Sequence, residues 1–168
     1  SEMWDKSGFQ QEIFSTYNSI NANSKIQSNP QSVVEGFSRA FSNIPIAAVL
    51  YDNYLCVHGG VGPDFTSLDE LKLIERPIDV YDSEPLGAIL WSDPSEEIQT
   101  FLPSIRGIGY FYGAEGLREF LTSQTLSLLI RGHQCIDFGV QFALENQVAT
   151  VFSASSYCGT KQNQSGVL

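Results

Sequence analysis

The chain contains only two histidines, and both stand in the same setting. His58 closes the apolar run Leu55-Cys56-Val57 and is followed by Gly59-Gly60, while His133 follows Leu128-Leu129-Ile130-Arg131-Gly132. An apolar run that stops abruptly at glycine reads as a buried strand handing its last side chain to a turn. Side chains delivered in that way collect on a rigid scaffold. Two more apolar runs end similarly, one on Ser92-Asp93-Pro94 and one on the segment from Ser153 to Tyr157. Arg106 lies in Ile105-Arg106-Gly107-Ile108-Gly109, where glycine lets the backbone approach a ligand closely. Neutral imidazole binds divalent metal, and the fixed guanidinium fork recognises phosphate. His58, His133, Asp93, Arg106 and Tyr157 at strand ends thus suit metal-assisted chemistry on an anion. Each also has a plainer reading. A strand-end histidine can be a hydrogen-bonded structural residue, and Asp93 before Pro94 a turn initiator. Arg106 can be a salt-bridge or snorkelling residue, and Tyr157 a rim aromatic. Spacing alone leaves both readings open.

The elements that must hold these residues are legible as periodicity. Phe9, Ile13 and Tyr17 predict an amphipathic helix, and the Asn- and Ser-rich residues 18–30 a loop. Ser32-x-x-Glu35 predicts a capping box opening a second helix, with Val33, Val34, Phe37 and Phe41 as its apolar stripe. Residues 46–50 and 54–57 predict strands joined by a two-residue turn at Asp52-Asn53. Ser67-x-x-Glu70 predicts another capping box, ahead of Leu68, Leu71 and Ile74. Residues 75–85 are acidic and irregular, and residues 101–112 are aromatic and punctuated by glycine around Arg106. Leu117, Phe120 and Leu121 predict one more helix, and three apolar runs over 126–130, 140–145 and 148–153 predict a β-rich end. Helices first, then strands with interspersed helices, predict an α/β fold of α+β layered type. Its sheet is expected to be partly antiparallel and to lie in a single domain over residues 1–168.

Lys and Arg number 9 against 19 Asp and Glu, a net charge of −10. That argues against nucleic acid or an anionic membrane as partner, and an anion site must draw its positive charge from arginine or metal. Three cysteines without framework spacing suit a reducing compartment, cytoplasmic and/or nuclear. No apolar run reaches the ~18 residues of a transmembrane helix, and no signal-peptide pattern opens the chain. Ser1 at the start and Val167-Leu168 at the end lead to the expectation of a fragment of a longer chain.

Five motifs in order carry a more specific message: Cys56-Val57-His58-Gly59-Gly60, Leu90-Trp91-Ser92-Asp93-Pro94, Arg106-Gly107-Ile108-Gly109, Ile130-Arg131-Gly132-His133-Gln134, and the run from Val151 through Ser153, Tyr157 and Cys158 to Gly159. Together they resemble the C-terminal half of the metal-dependent serine/threonine protein phosphatases, the family that includes calcineurin. The resemblance implies a β-sandwich flanked by helices, with two metal ions (manganese, or iron/zinc) at the strand ends and hydrolysis of phosphoserine or phosphothreonine in proteins. It implies His58 and His133 as metal ligands and Arg106 as a phosphate-binding residue. It implies Tyr157 as a cleft residue and Asp93 as a carboxylate near the substrate. A phosphoprotein substrate and a regulatory subunit are the partners it implies.

The departures from that pattern set a limit. The family's Asp-x-His, Gly-Asp-x-x-Asp-Arg and Gly-Asn-His-Glu motifs are not in this sequence. By the same resemblance they supply the remaining metal ligands, a second phosphate arginine and the acid for the leaving group. The chain is therefore expected to be the C-terminal portion of a phosphatase catalytic domain, truncated at both ends, inactive by itself and poorly soluble. Gly132 stands where the family usually has alanine, and Ser155-Ser156 where it has Pro-Asn. Two other readings remain open, a non-catalytic phosphatase-like binding module and a generic α/β domain.

Overall fold

A computed structural model describes residues 8–23, 29–78 and 84–168. The chain divides into two compact units, Ser1–Ile44 with Arg76–Asp79, and Pro45–Glu75 with Val80–Leu168.

The first unit pairs helices α1 (Phe9–Asn23) and α2 (Pro30–Phe41). Ile13 of α1 and Val34 of α2 are buried, as the apolar spacing requires. The Phe9 ring meets Phe37 edge-on at 4.8 Å, the favoured arrangement for aromatic quadrupoles, and Phe41 completes the cluster. Helix α1 continues through residues 18–23, where a loop is expected from composition. Once nucleated, a helix gains one hydrogen bond per added residue, so Asn and Ser do not by themselves end it. Of the rest of that expected loop, residues 24–28 lie outside the described residues, and Asn29 and Pro30 open the next helix. Helix α2 begins before the expected Ser32 box. Asn29 caps it, its Oδ1 accepting from Gln31 N at 3.1 Å, and Pro30 takes the first-turn position where a missing N–H costs nothing.

The second unit is built on a five-stranded sheet ordered β1-β2-β6-β8-β7, from β1 (Ala47–Leu50), β2 (Tyr54–Val57), β6 (Leu128–Arg131), β7 (Val140–Ala143) and β8 (Val148–Val151). The outer pairs β1–β2 and β7–β8 are antiparallel, and β2, β6 and β8 run parallel in the middle. Period-two alternation gives the sheet two faces. Leu55, Val57, Leu129 and Val148 turn to a core shared with Leu117, Phe120 and Leu121 of helix α5 (Ala114–Ser123). The register puts Leu50, Tyr54, Cys56, Leu128, Ile130, Ala149 and Phe142 on the opposite face. That second face is apolar from edge to edge.

Three local expectations are corrected or refined. The β1–β2 loop is Tyr51-Asp52-Asn53, with φ of +53° at both Tyr51 and Asp52 and Asn53 N bonded to Leu50 O at 3.0 Å. The tight turn thus sits one residue earlier than Asp52-Asn53. The Ser67/Glu70 box forms ahead of a short helix α3 (Asp69–Lys72): Glu70 accepts from Ser67 N at 2.9 Å and Ser67 Oγ from Asp69 N at 3.1 Å. The apolar run before Asp93 is not a strand but helix α4 (Leu86–Trp91). Leu86, Gly87, Ala88 and Ile89 are all buried, and a short helix buried through its first turn carries no polar stripe to mark its period. Residues 79–83 of the acidic segment lie outside the described residues. A small second sheet follows α4, ordered β3-β5-β4, from β3 (Asp93–Pro94), β4 (Phe101–Pro103) and β5 (Tyr110–Tyr112). The result is a mixed α/β fold of sheets flanked by helices, with no closed barrel among the described residues.

Candidate functional site

The parallel centre of the sheet delivers the two histidines side by side. Strand β2 ends at Val57 and β6 at Arg131, and the Gly132 N–H bonds His58 O at 3.1 Å, which ties the two exits together. The His58 and His133 ring centroids then lie 5.1 Å apart. Gly59 and Gly60 are required by crowding beyond the strand end. A Cβ on Gly59 would stand 2.7 Å from the Leu90 and Trp91 backbone, and one on Gly60 would overlap the Tyr112 ring. With no side chains there, Gly59 N donates to Ile89 O at 2.6 Å and docks the His58 turn on the end of α4. Trp91, the last residue of that helix, sets its ring edge-on to His133 at 5.7 Å.

Asp93 is the hub of the cluster. It is 2% exposed and its two oxygens are taken by different partners. Oδ2 accepts from Arg106 Nε at 3.0 Å, and Oδ1 from Arg131 NH2 at 2.8 Å. His133 Nδ1 lies 3.1 Å from Oδ1 without the alignment of a hydrogen bond, and that buried nitrogen has no other hydrogen-bond partner. Burial pushes the Asp93 carboxyl up, but His133, Arg131 and Arg106 outweigh it and hold the group down at about 2. His58 moves the other way from its ordinary value. Partial burial first, then His133 and Arg131 nearby, push it down against the pull of Asp93. The neutral imidazole, the form that ligates metal, is thereby favoured.

Arg106 stands on the loop between β4 and β5, closed by Ser104 N to Gly109 O at 3.0 Å and Arg106 N to Ser104 Oγ at 3.2 Å. It remains 42% exposed, so its fork keeps donors facing solvent while Nε is fixed on Asp93. Tyr157 is placed apart from these four. Its ring packs edge-on against Phe152 at 5.0 Å, and it follows Ser156, held at φ of +50°. Buried Asn163 clamps this loop: its Oδ1 accepts from Tyr157 N at 3.0 Å and its Nδ2 donates to Ala154 O at 2.6 Å.

His58, His133, Asp93 and Arg106 thus form one connected cluster, and Tyr157 stands on a loop of its own. Sequence reasoning misses two residues, Arg131, which ties the cluster together, and Asn163, which clamps the Tyr157 loop. Arg131 had a visible signal, a charge inside an apolar strand run, which folding tolerates only when it is paired. Asn163 had none, because a short polar tail looks the same whether or not one of its amides is buried. As a metal site the cluster fits in part. Two imidazoles, one with an orphaned buried nitrogen, are suitable donors, but Asp93 is already committed to arginines. Among the described residues no group of three or more His, Cys, Asp or Glu is arranged to hold a metal ion.

Residues 9–137 match the family model of the calcineurin-like phosphoesterases. Over 122 residues the chain is 41% identical to the serine/threonine-protein phosphatase 6 catalytic subunit of Caenorhabditis elegans, a stretch covering 73% of this chain and 37% of that protein. Its fold matches a protein serine/threonine phosphatase from Saccharomyces cerevisiae with a TM-score of 0.82 at 29% identity, covering 96% of this chain and 47% of that one. The chain therefore spans less than half the length of either relative.

Proposed function

The chain belongs to the calcineurin-like phosphoesterase family, and on that premise we propose that it is part of a protein phosphatase catalytic domain that hydrolyses phosphoserine and phosphothreonine. The carrying observation is the meeting of His58 and His133 at 5.1 Å beside an Asp93–Arg106 pair. The likeness to serine/threonine phosphatases supports the substrate class. His58 and His133 contribute two neutral imidazoles to a metal centre of manganese or iron/zinc type, and residues outside this chain contribute the rest. When bound, such ions supply Lewis acidity toward the phosphoryl oxygens. Arg106 presents its free donors to the phosphate and balances charge as it develops, while Asp93 holds the Arg106 fork in place. Tyr157 stands on a separate loop, and its role in the cleft rests on the likeness to the phosphatases. Three free cysteines, Cys56, Cys135 and Cys158, suit a cytoplasmic or nuclear compartment. A regulatory subunit would direct the enzyme to its phosphoprotein.

The test is hydrolysis of a phosphothreonine peptide, with manganese added, by the full-length chain that carries these residues. Turnover that disappears in both His58→Ala and His133→Ala is expected, and the 168-residue chain alone is expected to be inactive. A folded full-length protein with no turnover would favour the binding-module reading instead.

A further inference from the structure

Among the described residues Arg131 is the one arginine whose side chain is 0% exposed, and four hydrogen bonds commit it to the site's backbone and partners. Its Nε donates to Gly59 O at 2.7 Å, the residue directly after His58. Its NH2 donates to Ser92 O at 3.2 Å and to Asp93 Oδ1 at 2.8 Å. Its NH1 donates to Gln134 Oε1 at 2.8 Å, the residue directly after His133. Three separate segments, each carrying one member of the cluster, therefore meet on a single rigid plane. A guanidinium offers five donors in fixed directions, whereas an ammonium is a point charge on a flexible stem.

We infer that Arg131 is a positioning residue that sets the separation of His58 and His133 by anchoring the chain just beyond each of them. Stability does not require so costly a device, because buried ion pairs are commonly replaced by apolar residues without loss. The Gly132–His58 main-chain bond fixes where the two strands end, and Arg131 holds the chain beyond each histidine. The two imidazoles are on different strands, and Arg131 is the side chain that bonds the segments of His58, Asp93 and His133 together. The inference draws on the proposed phosphatase reading only in calling the cluster a phosphate site.

The test uses the metal-free full-length protein that carries these residues, with the His58 and His133 ring protons assigned from the signals lost in His58→Gln and His133→Gln. The wild type is expected to show a nuclear Overhauser cross-peak between the His58 and His133 rings. Arg131→Lys keeps the charge on Asp93 and is expected to melt cooperatively yet lose the cross-peak. A folded Arg131→Lys chain with the wild-type cross-peak overturns the inference. If that variant does not fold, Gln134→Ala replaces it, untying only the arm next to His133: loss of the cross-peak supports the inference, and wild-type intensity overturns it. Because no phosphate or metal is used, the result stands whichever way the phosphatase assay falls.

Discussion

Asp93 and Arg131 meet at 2.8 Å with side chains 2% and 0% exposed, so neither charge has water to fall back on. Removing one member of such a pair leaves the other buried and unpaired, at a cost of about 3–5 kcal/mol. Asp93→Asn is therefore expected to lower stability by that order, measured by urea unfolding at neutral pH. A variant that unfolds with the wild type would mean that the pair is solvated in solution.

The glycines around the histidines are not equivalent. At Gly132 a Cβ would meet Val151 O at 3.7 Å and His58 Nδ1 at 3.9 Å, ordinary contact distances. Gly132→Ala is expected to stabilise by about 0.4–1 kcal/mol by narrowing the unfolded ensemble. Gly59→Ala places a Cβ 2.7 Å from main chain that cannot swing aside, and about 1–3 kcal/mol of destabilisation is expected. Melting curves of both variants check this; equal effects at the two sites would refute it.

The Tyr157 loop depends on Asn163. Asn163→Leu removes the acceptor of Tyr157 N and the donor to Ala154 O, part-buried hydrogen bonds worth about 0.5–1.5 kcal/mol each. Limited proteolysis should then cut near Ser156, where φ is +50° and a serine gains little from its backbone geometry. Unchanged protease resistance would show that the loop is held by other contacts.

Alkaline pH probes a different pair. Tyr110 Oη donates to Asp64 Oδ2 at 2.8 Å. That bond first, then burial and the charges of Glu84 and Asp64, push the phenol up to about 12. A raised folded value means that the contribution is complete below the ordinary phenol range near 10 and is lost as pH climbs through about 12. Tyrosinate absorbance should show this late-titrating phenol, and Asp64→Asn should bring it down. An unchanged titration curve in that variant would remove Asp64 as the cause.

The sheet's second face leads to association. Leu50 is 44% exposed and Phe142 50%, and the side chains between them on that face are apolar. Exposed apolar residues at both edge strands, β1 and β7, with half-buried apolar side chains between them, favour self-association. Sedimentation velocity over a concentration series should show mass rising with concentration. A single monomer peak at every concentration would sink the expectation.

Local signals in the sequence determined much of this. Phe9, Ile13 and Tyr17 repeat at helix spacing, Ser67 and Glu70 form their box, and Leu55 and Val57 alternate inward, because each depends on neighbours a few residues away. His58, His133, Asp93 and Arg106 could be picked out as chemistry at the ends of apolar runs, and the motif order around them pointed to a family. What the tertiary structure decided is where burial overrides local pattern. Leu86–Trp91 is a helix whose first four residues are all buried, so no polar stripe marks its period in the sequence. Asp93 became a hub because two arginines from residues 13 and 38 positions away converge on it. Arg131 and Asn163 became anchors because their partners lie on other segments. Charge and hydrogen bonding act through space, and sequence spacing records only the part of space that a helix turn or a strand pleat spans.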